Sequence, residues 1–224
     1  MTNIPFPGGY GRSIRERTLL GGKWSILFLL SMLASGCGLG GKPAYLVKQY
    51  ILEYPSPTVE EVGQTNDLIK VERFSIAKDF DTHAMVYQER PFHRGSDPYN
   101  RWRVYPNDMV TDYLLRDLRK AGLFRAVFSY NDSEDTRYLL EGRVDEFLEL
   151  NEKDGRKSVL SLNATLQDLT KREIAERVVF QRDYRYVELL EGQAPEGLAH
   201  GMSRAMEKFS RQVIQDISRA LKNR

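Results

Sequence analysis

The chain holds one cysteine, Cys37, and three histidines, His83, His93 and His200. These are the residues from which nucleophilic or metal chemistry would have to be built. A lone cysteine cannot close an internal disulfide and has no second thiol for a zinc cluster. Its neighbours in "LASGCGLGG" are small, and no histidine lies near it in sequence, so the pattern holds no base or electropositive pocket to activate a thiolate. Glu141, Asp145, Glu146 and Glu149 could in principle supply a carboxylate pair for glycosidic cleavage. Strand alternation assigns most of them to a solvated face, where charged side chains are expected. No Ser-centred elbow, phosphate-cradling glycine loop or HExxH is present. The pattern carries no catalytic set, no metal ligands and no cofactor site.

Cys37 is explained by what precedes it. Arg12, Arg15, Arg17 and Lys23 lead into the apolar run "WSILFLLSML", and Glu16 is the only acid before the cysteine. A basic segment, about ten apolar residues and then small residues is the layout of a secretory signal. As a helix the run would rise about 15 Å, half of a bilayer core, so it is too short to span. Ala34-Ser35-Gly36-Cys37 resembles a bacterial lipobox, with Ala34 standing where a large aliphatic residue is usual. The resemblance implies cleavage before Cys37, a thioether-linked diacylglycerol and an amide-linked acyl chain on that residue. More than one acyl chain holds a protein stably on a membrane. The expected organisation is a signal peptide over 1–36, a lipidated glycine-rich tether over 37–44 and one domain over 45–224.

Loss of residues 1–36 removes four basic residues and one acid, so the net charge of +2 becomes −1. A near-neutral domain has no basic field for nucleic acid, and no nucleic-acid partner is expected. The remaining length suffices for one domain with its own core.

The elements follow from periodicity. Gln49–Tyr54, Asp67–Phe74, His83–Glu89 and Tyr99–Tyr105 read as short strands, with Arg90–Pro98 as a hairpin loop. Asn107 is the expected N-cap of a helix closed by Gly122, and "LFRAVFSY" resumes a strand. Three longer strands alternate cleanly. Tyr138, Leu140, Gly142, Val144 and Leu148 share one face of the first. Leu160, Leu162, Ala164 and Leu166 share a face of the second; Val178, Phe180, Tyr184 and Tyr186 share one of the third. "NEKDGRK" and "TKREIAE" read as the turns between them. From Pro195, an apolar stripe from Leu198 to Leu221 marks a long amphipathic helix. The expected fold is α+β: one mixed, largely antiparallel sheet packed against two main helices.

The segment "MVYQERPFHRGSDPYNRWRVYP" concentrates Tyr87, Phe92, Tyr99, Trp102 and Tyr105 with Arg90, Arg94, Arg101 and Arg103. Arginine and aromatic enrichment is typical of protein interfaces, and Tyr87, Arg101, Trp102 and Arg103 are the candidate partner-binding residues. The alternative is that the alternate aromatics simply cover the sheet core.

"YILEYP", "IKVERFSIAKDFDTHAMVYQE", "NRWRVYPNDMVTDYLLRDLRKAGLFRAV", "YLLEGRVDEF", "VLSLNATLQDL", "VVFQRDYRY" and "MSRAMEKFSRQVIQDI" occur in that order. The ordered set resembles the ABC-type transport auxiliary lipoproteins, the PqiC/YmbA-like group. The resemblance implies a non-catalytic accessory of a lipid transport system in the Gram-negative envelope. Its implied partners are a mammalian-cell-entry (MCE) domain protein, a permease and an ATPase, with a homo-oligomer as a further assembly. Gly38 follows the cysteine in place of the Asp linked to inner-membrane retention, which implies the outer membrane, facing the periplasm. A periplasmic lipid carrier and, less favoured, an envelope hydrolase are the alternative readings.

Overall fold

The computed structural model describes residues 45–60 and 63–222. Tyr45–Arg224 is one compact unit; Cys37 and the expected signal peptide and tether lie outside the described residues. Nine strands form one sheet: β1 (Lys48–Tyr50), β2 (Leu68–Val71), β3 (Ser75–Ile76), β4 (Ala84–Arg90), β5 (His93–Trp102), β6 (Ala126–Ser129), β7 (Tyr138–Glu152), β8 (Gly155–Asp168) and β9 (Val178–Leu189). The helices are α1 (Pro106–Ala121), the short α2 (Ile174–Arg177) and α3 (Glu196–Lys222).

The α+β architecture is the expected one, and β7 is its spine. Along one edge β8 pairs with β7 antiparallel from Tyr138↔Asp168 to Glu152↔Gly155, and β9 extends the meander. Along the other edge three short strands pair with β7 in succession, all parallel: β2, β3 and β4. β6 pairs parallel with β2, β5 antiparallel with β4, and β1 parallel with β5. The sheet is therefore mixed. Its longest ladders are antiparallel, as the alternation of β7 to β9 requires, and the short N-terminal strands supply the parallel pairs.

Helix α3 buries Leu198, Met202, Ala205, Met206, Phe209, Val213 and Ile217 against this meander. The 3.6-residue spacing of those side chains sets the packed face. Phe209 meets Phe74 and Tyr184 edge-on, at 6.4 and 5.3 Å between centroids. Gly142 of β7 is where the Phe74 ring crosses the sheet. A Cβ there would collide with that ring and with the Asn163 carbonyl.

Several local expectations are corrected. The first strand stops at Tyr50, because the chain beyond it leaves β5 to bury Leu52 and Tyr54. Asn107 is not the N-cap of α1; Tyr105 is, with Pro106 in the first turn. The Asn107 amide instead donates to the Phe74 carbonyl at 3.0 Å. Gly122 closes α1 with φ of 66°, as expected. The supposed loop Arg90–Pro98 is mostly strand: β5 begins at His93, leaving Pro91 and Phe92 as the turn. Asp97 sustains the strand by accepting the backbone N–H groups of Tyr99 and Asn100 at 2.8 and 2.9 Å. The "TKREIAE" link contains α2 rather than only a turn.

The face assignment of Leu148 also changes. A bulge between Val144 and Glu146 shifts the β7–β8 register, and one inserted residue moves every later side chain to the opposite face. Phe147 and Glu149 thereby continue the face of Val144, and Leu148 leaves it.

Candidate docking surface

The candidate catalytic groups are dispersed by the fold. Glu141 accepts from the Gln167 amide at 2.6 Å, Asp145 pairs with Arg143 at 3.1 Å and Glu146 with Arg185 at 3.2 Å. Glu149, turned inward by the bulge, is buried and forked by Arg156 at 2.7 and 2.9 Å. Each carboxylate is occupied by its own partner. His83 Nδ1 lies 3.2 Å from the Trp102 carbonyl oxygen, and its ring lies 4.0 Å from that of Tyr105. His93 stands on β5 and His200 on α3. Among the described residues, no group of three or more His, Cys, Asp or Glu is placed to hold a metal.

The four candidate partner residues separate. Trp102 is 1% exposed and packs edge-on against Phe147 at 5.3 Å. Its indole is core and not a surface contact: at the end of β5 its side chain points inward onto β7. Arg101 and Arg103, on either side of it, are exposed. The Arg103 backbone N–H donates to the Tyr50 carbonyl at 2.8 Å, which fastens this edge to β1. Tyr87 is half-buried opposite Gly95, and its ring lies where a Cβ of residue 95 would be. Six residues of strand, about 20 Å, separate that level from Arg101. Arg101, flanked by β1 and β4, and Arg103 thus form one exposed basic patch, and Tyr87 belongs elsewhere on the hairpin.

Other exposed side chains collect near β1. Tyr45, Leu46, Val47 and Ile51 are all open to solvent, and the Tyr45 ring lies 4.7 Å from that of Tyr99. Beside them is an open cleft of about 720 Å³ between β1 and the start of α3, lined by Tyr50, Glu53, Glu191, Glu196, His200 and Ser203 among others. The Tyr50 hydroxyl donates to Glu196 at 3.0 Å. Burial, then this hydrogen bond to a carboxylate, pushes the phenol up to about 12. The bond in turn helps hold Glu196 below its ordinary range, after the stronger pull of its own backbone N–H. The cleft is open and acidic, and its serine hydroxyl, Ser203, donates to the Ala199 carbonyl at 2.7 Å and accepts the Glu53 backbone N–H at 2.9 Å.

Phe92 escaped the sequence reading as a site. It occupies the two-residue tip between β4 and β5, fully exposed, with φ of 65°. That is left-handed backbone, which a bulky side chain seldom adopts. A large aromatic directly after Pro in a tight turn was the available signal.

The family model for the ABC-type transport auxiliary lipoprotein component matches residues 50–214, nearly all of this domain. The chain belongs to that family. The fold is also similar to that of protein XCC0632 from Xanthomonas campestris, with a TM-score of 0.71 at 16% identity, covering 79% of this chain and 98% of that one. A second solved structure, of an uncharacterized protein, is similar at a TM-score of 0.55 and 15% identity, covering 78% and 99%. At such identities the likeness concerns the fold. No curated protein matches this auxiliary lipoprotein by sequence.

Proposed function

We propose that this auxiliary lipoprotein is a non-catalytic docking component of an ABC-type system that moves lipids across the Gram-negative envelope. The acyl chains on Cys37 hold it on a leaflet, by preference the outer membrane facing the periplasm. Its folded domain then engages an MCE-domain protein linked to a permease and an ATPase. The observation that carries this reading is the match of the auxiliary-component family over residues 50–214. It is supported by the lipobox-like Ala34–Cys37 after a basic and apolar leader. The exposed apolar and arginine side chains beside β1 supply a contact surface. No helix of the described residues is long and apolar enough to cross a membrane.

Affinity purification of the full-length chain from native membranes tests it. An MCE-domain protein and a permease should co-purify, and the chain should fractionate with outer-membrane density. Recovery without any transport component refutes docking, and recovery of stoichiometric phospholipid inside the detergent-extracted domain transfers the assignment to a carrier.

A further inference from the structure

Strand directions show which end of the domain is nearest the anchor. β1 runs parallel to β5 with Lys48 opposite Asn100. Carried back three residues, the same register places Tyr45 beside Asp97, and the Tyr45–Tyr99 ring contact agrees with it. The chain therefore enters the domain from the side on which β5 begins, which is the side of Phe92. From the level of Asp97 to Phe92 is five residues of strand, about 17 Å. The eight residues from Cys37 to Tyr45 reach about 27 Å when extended. A lipid on Cys37 can thus sit level with the β4–β5 tip or beyond it.

That end also gathers the β7–β8 turn. Both tips line one open cleft of about 820 Å³, with Arg90 and Pro91 on one side and Lys153 and Asp154 on the other. Phe92 stands fully exposed there, in a backbone conformation that favours glycine. It therefore gains nothing from the core and costs the turn strain. Arg90, His93 and Lys153 are exposed around it. Arg94 is held by Asp79 at 2.7 Å. Of the nearby acids, Glu152 and Asp154 are both held by Lys157 at 2.7 Å, and Glu89 is exposed. Arg90, Lys153 and Lys157 are balanced in charge by Glu89, Glu152 and Asp154 around the tip, so the exposed ring is what suits it to a bilayer interface, where rings bury and long charged side chains remain at headgroup level.

We infer that the Pro91–Phe92 tip, flanked by Arg90 and Lys153, inserts its ring into the leaflet that holds the Cys37 lipid. The domain then stands on two points, one covalent and one aromatic. The β1 edge is thereby fixed in orientation, with Arg101 and Arg103 about 30 Å from the leaflet and free for a protein partner. The inference rests on the lipid-anchor reading.

The test uses the full-length, acylated protein in vesicles of phosphatidylethanolamine and phosphatidylglycerol. Acylation blocks the single native cysteine, so Phe92→Cys supplies the one free thiol for an environment-sensitive fluorophore. Lys171→Cys, exposed in the β8–β9 turn at the opposite end, is the control. A blue shift with quenching by doxyl lipids at position 92 and not at 171 is expected. A water-like probe at 92 on protein shown by mass spectrometry to be acylated overturns the inference and leaves the anchor standing. A free Cys37 thiol overturns both. A shift that requires added MCE protein assigns Phe92 to a protein contact and overturns insertion. In the unacylated Cys37→Ser background, Phe92→Gly should lower vesicle partitioning about tenfold or more and melt no lower than its parent, since glycine suits the turn. Unchanged partitioning refutes the inference as well.

Discussion

Trp102→Ala separates packing from recognition on the hairpin. The indole is 1% exposed and edge-packed on Phe147 at 5.3 Å, while its backbone N–H donates to His83 at 2.7 Å. Truncation removes the ring and leaves the backbone bond. A buried Trp hides about 200 Å², which at about 25 cal/mol per Å² is about 5 kcal/mol. Residual burial in the unfolded chain lowers that figure, so a loss of about 3–5 kcal/mol is expected. For a domain of this size each kcal/mol moves the melting temperature by about 2–4 °C, giving a fall of roughly 6–20 °C by circular dichroism or calorimetry. Arg101→Ala and Arg103→Ala, at exposed positions, should melt within about 2 °C of wild type. Either should weaken pull-down of the transport partner about thirtyfold if it is a hot spot worth about 2 kcal/mol. A Trp102→Ala protein that melts like wild type refutes the core assignment. Two arginine variants that bind like wild type remove the docking face from this edge.

Cys37→Ser should abolish palmitate labelling, since the serine hydroxyl cannot accept the thioether-linked lipid; equal labelling of both proteins refutes the lipobox. Gly142→Ala should destabilise the fold by about 1–3 kcal/mol, because the new methyl meets the Phe74 ring and the Asn163 carbonyl; an unchanged urea midpoint contradicts that packing. Burial raises Asp168, but hydrogen bonds from Arg137 and Thr170 outweigh it and hold the carboxyl at about 2. A folded pKa below the unfolded one contributes stability that is complete above about pH 4 and lost as pH falls toward 2. With Arg137 partly solvated, that contribution is about 1–2 kcal/mol. Asp168→Asn should flatten the acid limb of a stability–pH curve over that window, and an identical limb refutes the assignment.

What was legible in the sequence divides along the range of the interactions involved. The α3 stripe and the alternation of β8, and of β9 from Phe180 onward, are local patterns, written in residues a few positions apart, and appear in the fold; Val178 does not share that face, because a register shift sets it opposite Gln167 and leaves it exposed. The parallel pairing of β2, β3 and β4 along β7 joins segments tens of residues apart, and nothing in a short strand states its partner. The bulge near Asp145 is equally silent. It leaves a plausible alternation on paper while it turns Glu149 inward and Leu148 away. The neighbours of Asn107 fit an N-cap pattern, whereas its amide donates to the Phe74 carbonyl on a distant segment.

The hairpin shows the same division at the level of the site. Its composition marked it as unusual, yet composition cannot assign each residue to a face. Inward packing claimed Trp102, the residue type most expected at a hot spot, and left its two arginine neighbours outside. The more informative residue is Phe92, where two independent penalties coincide: a left-handed backbone and a fully exposed ring. Folding alone favours glycine at that place, so packing within the domain does not explain the aromatic there. The direction of β1 brings the chain into the domain at the same end. In the proposed two-point attachment the division of labour is geometric: the tip would face the leaflet, and Arg101 and Arg103, some 30 Å above it, would face a protein partner.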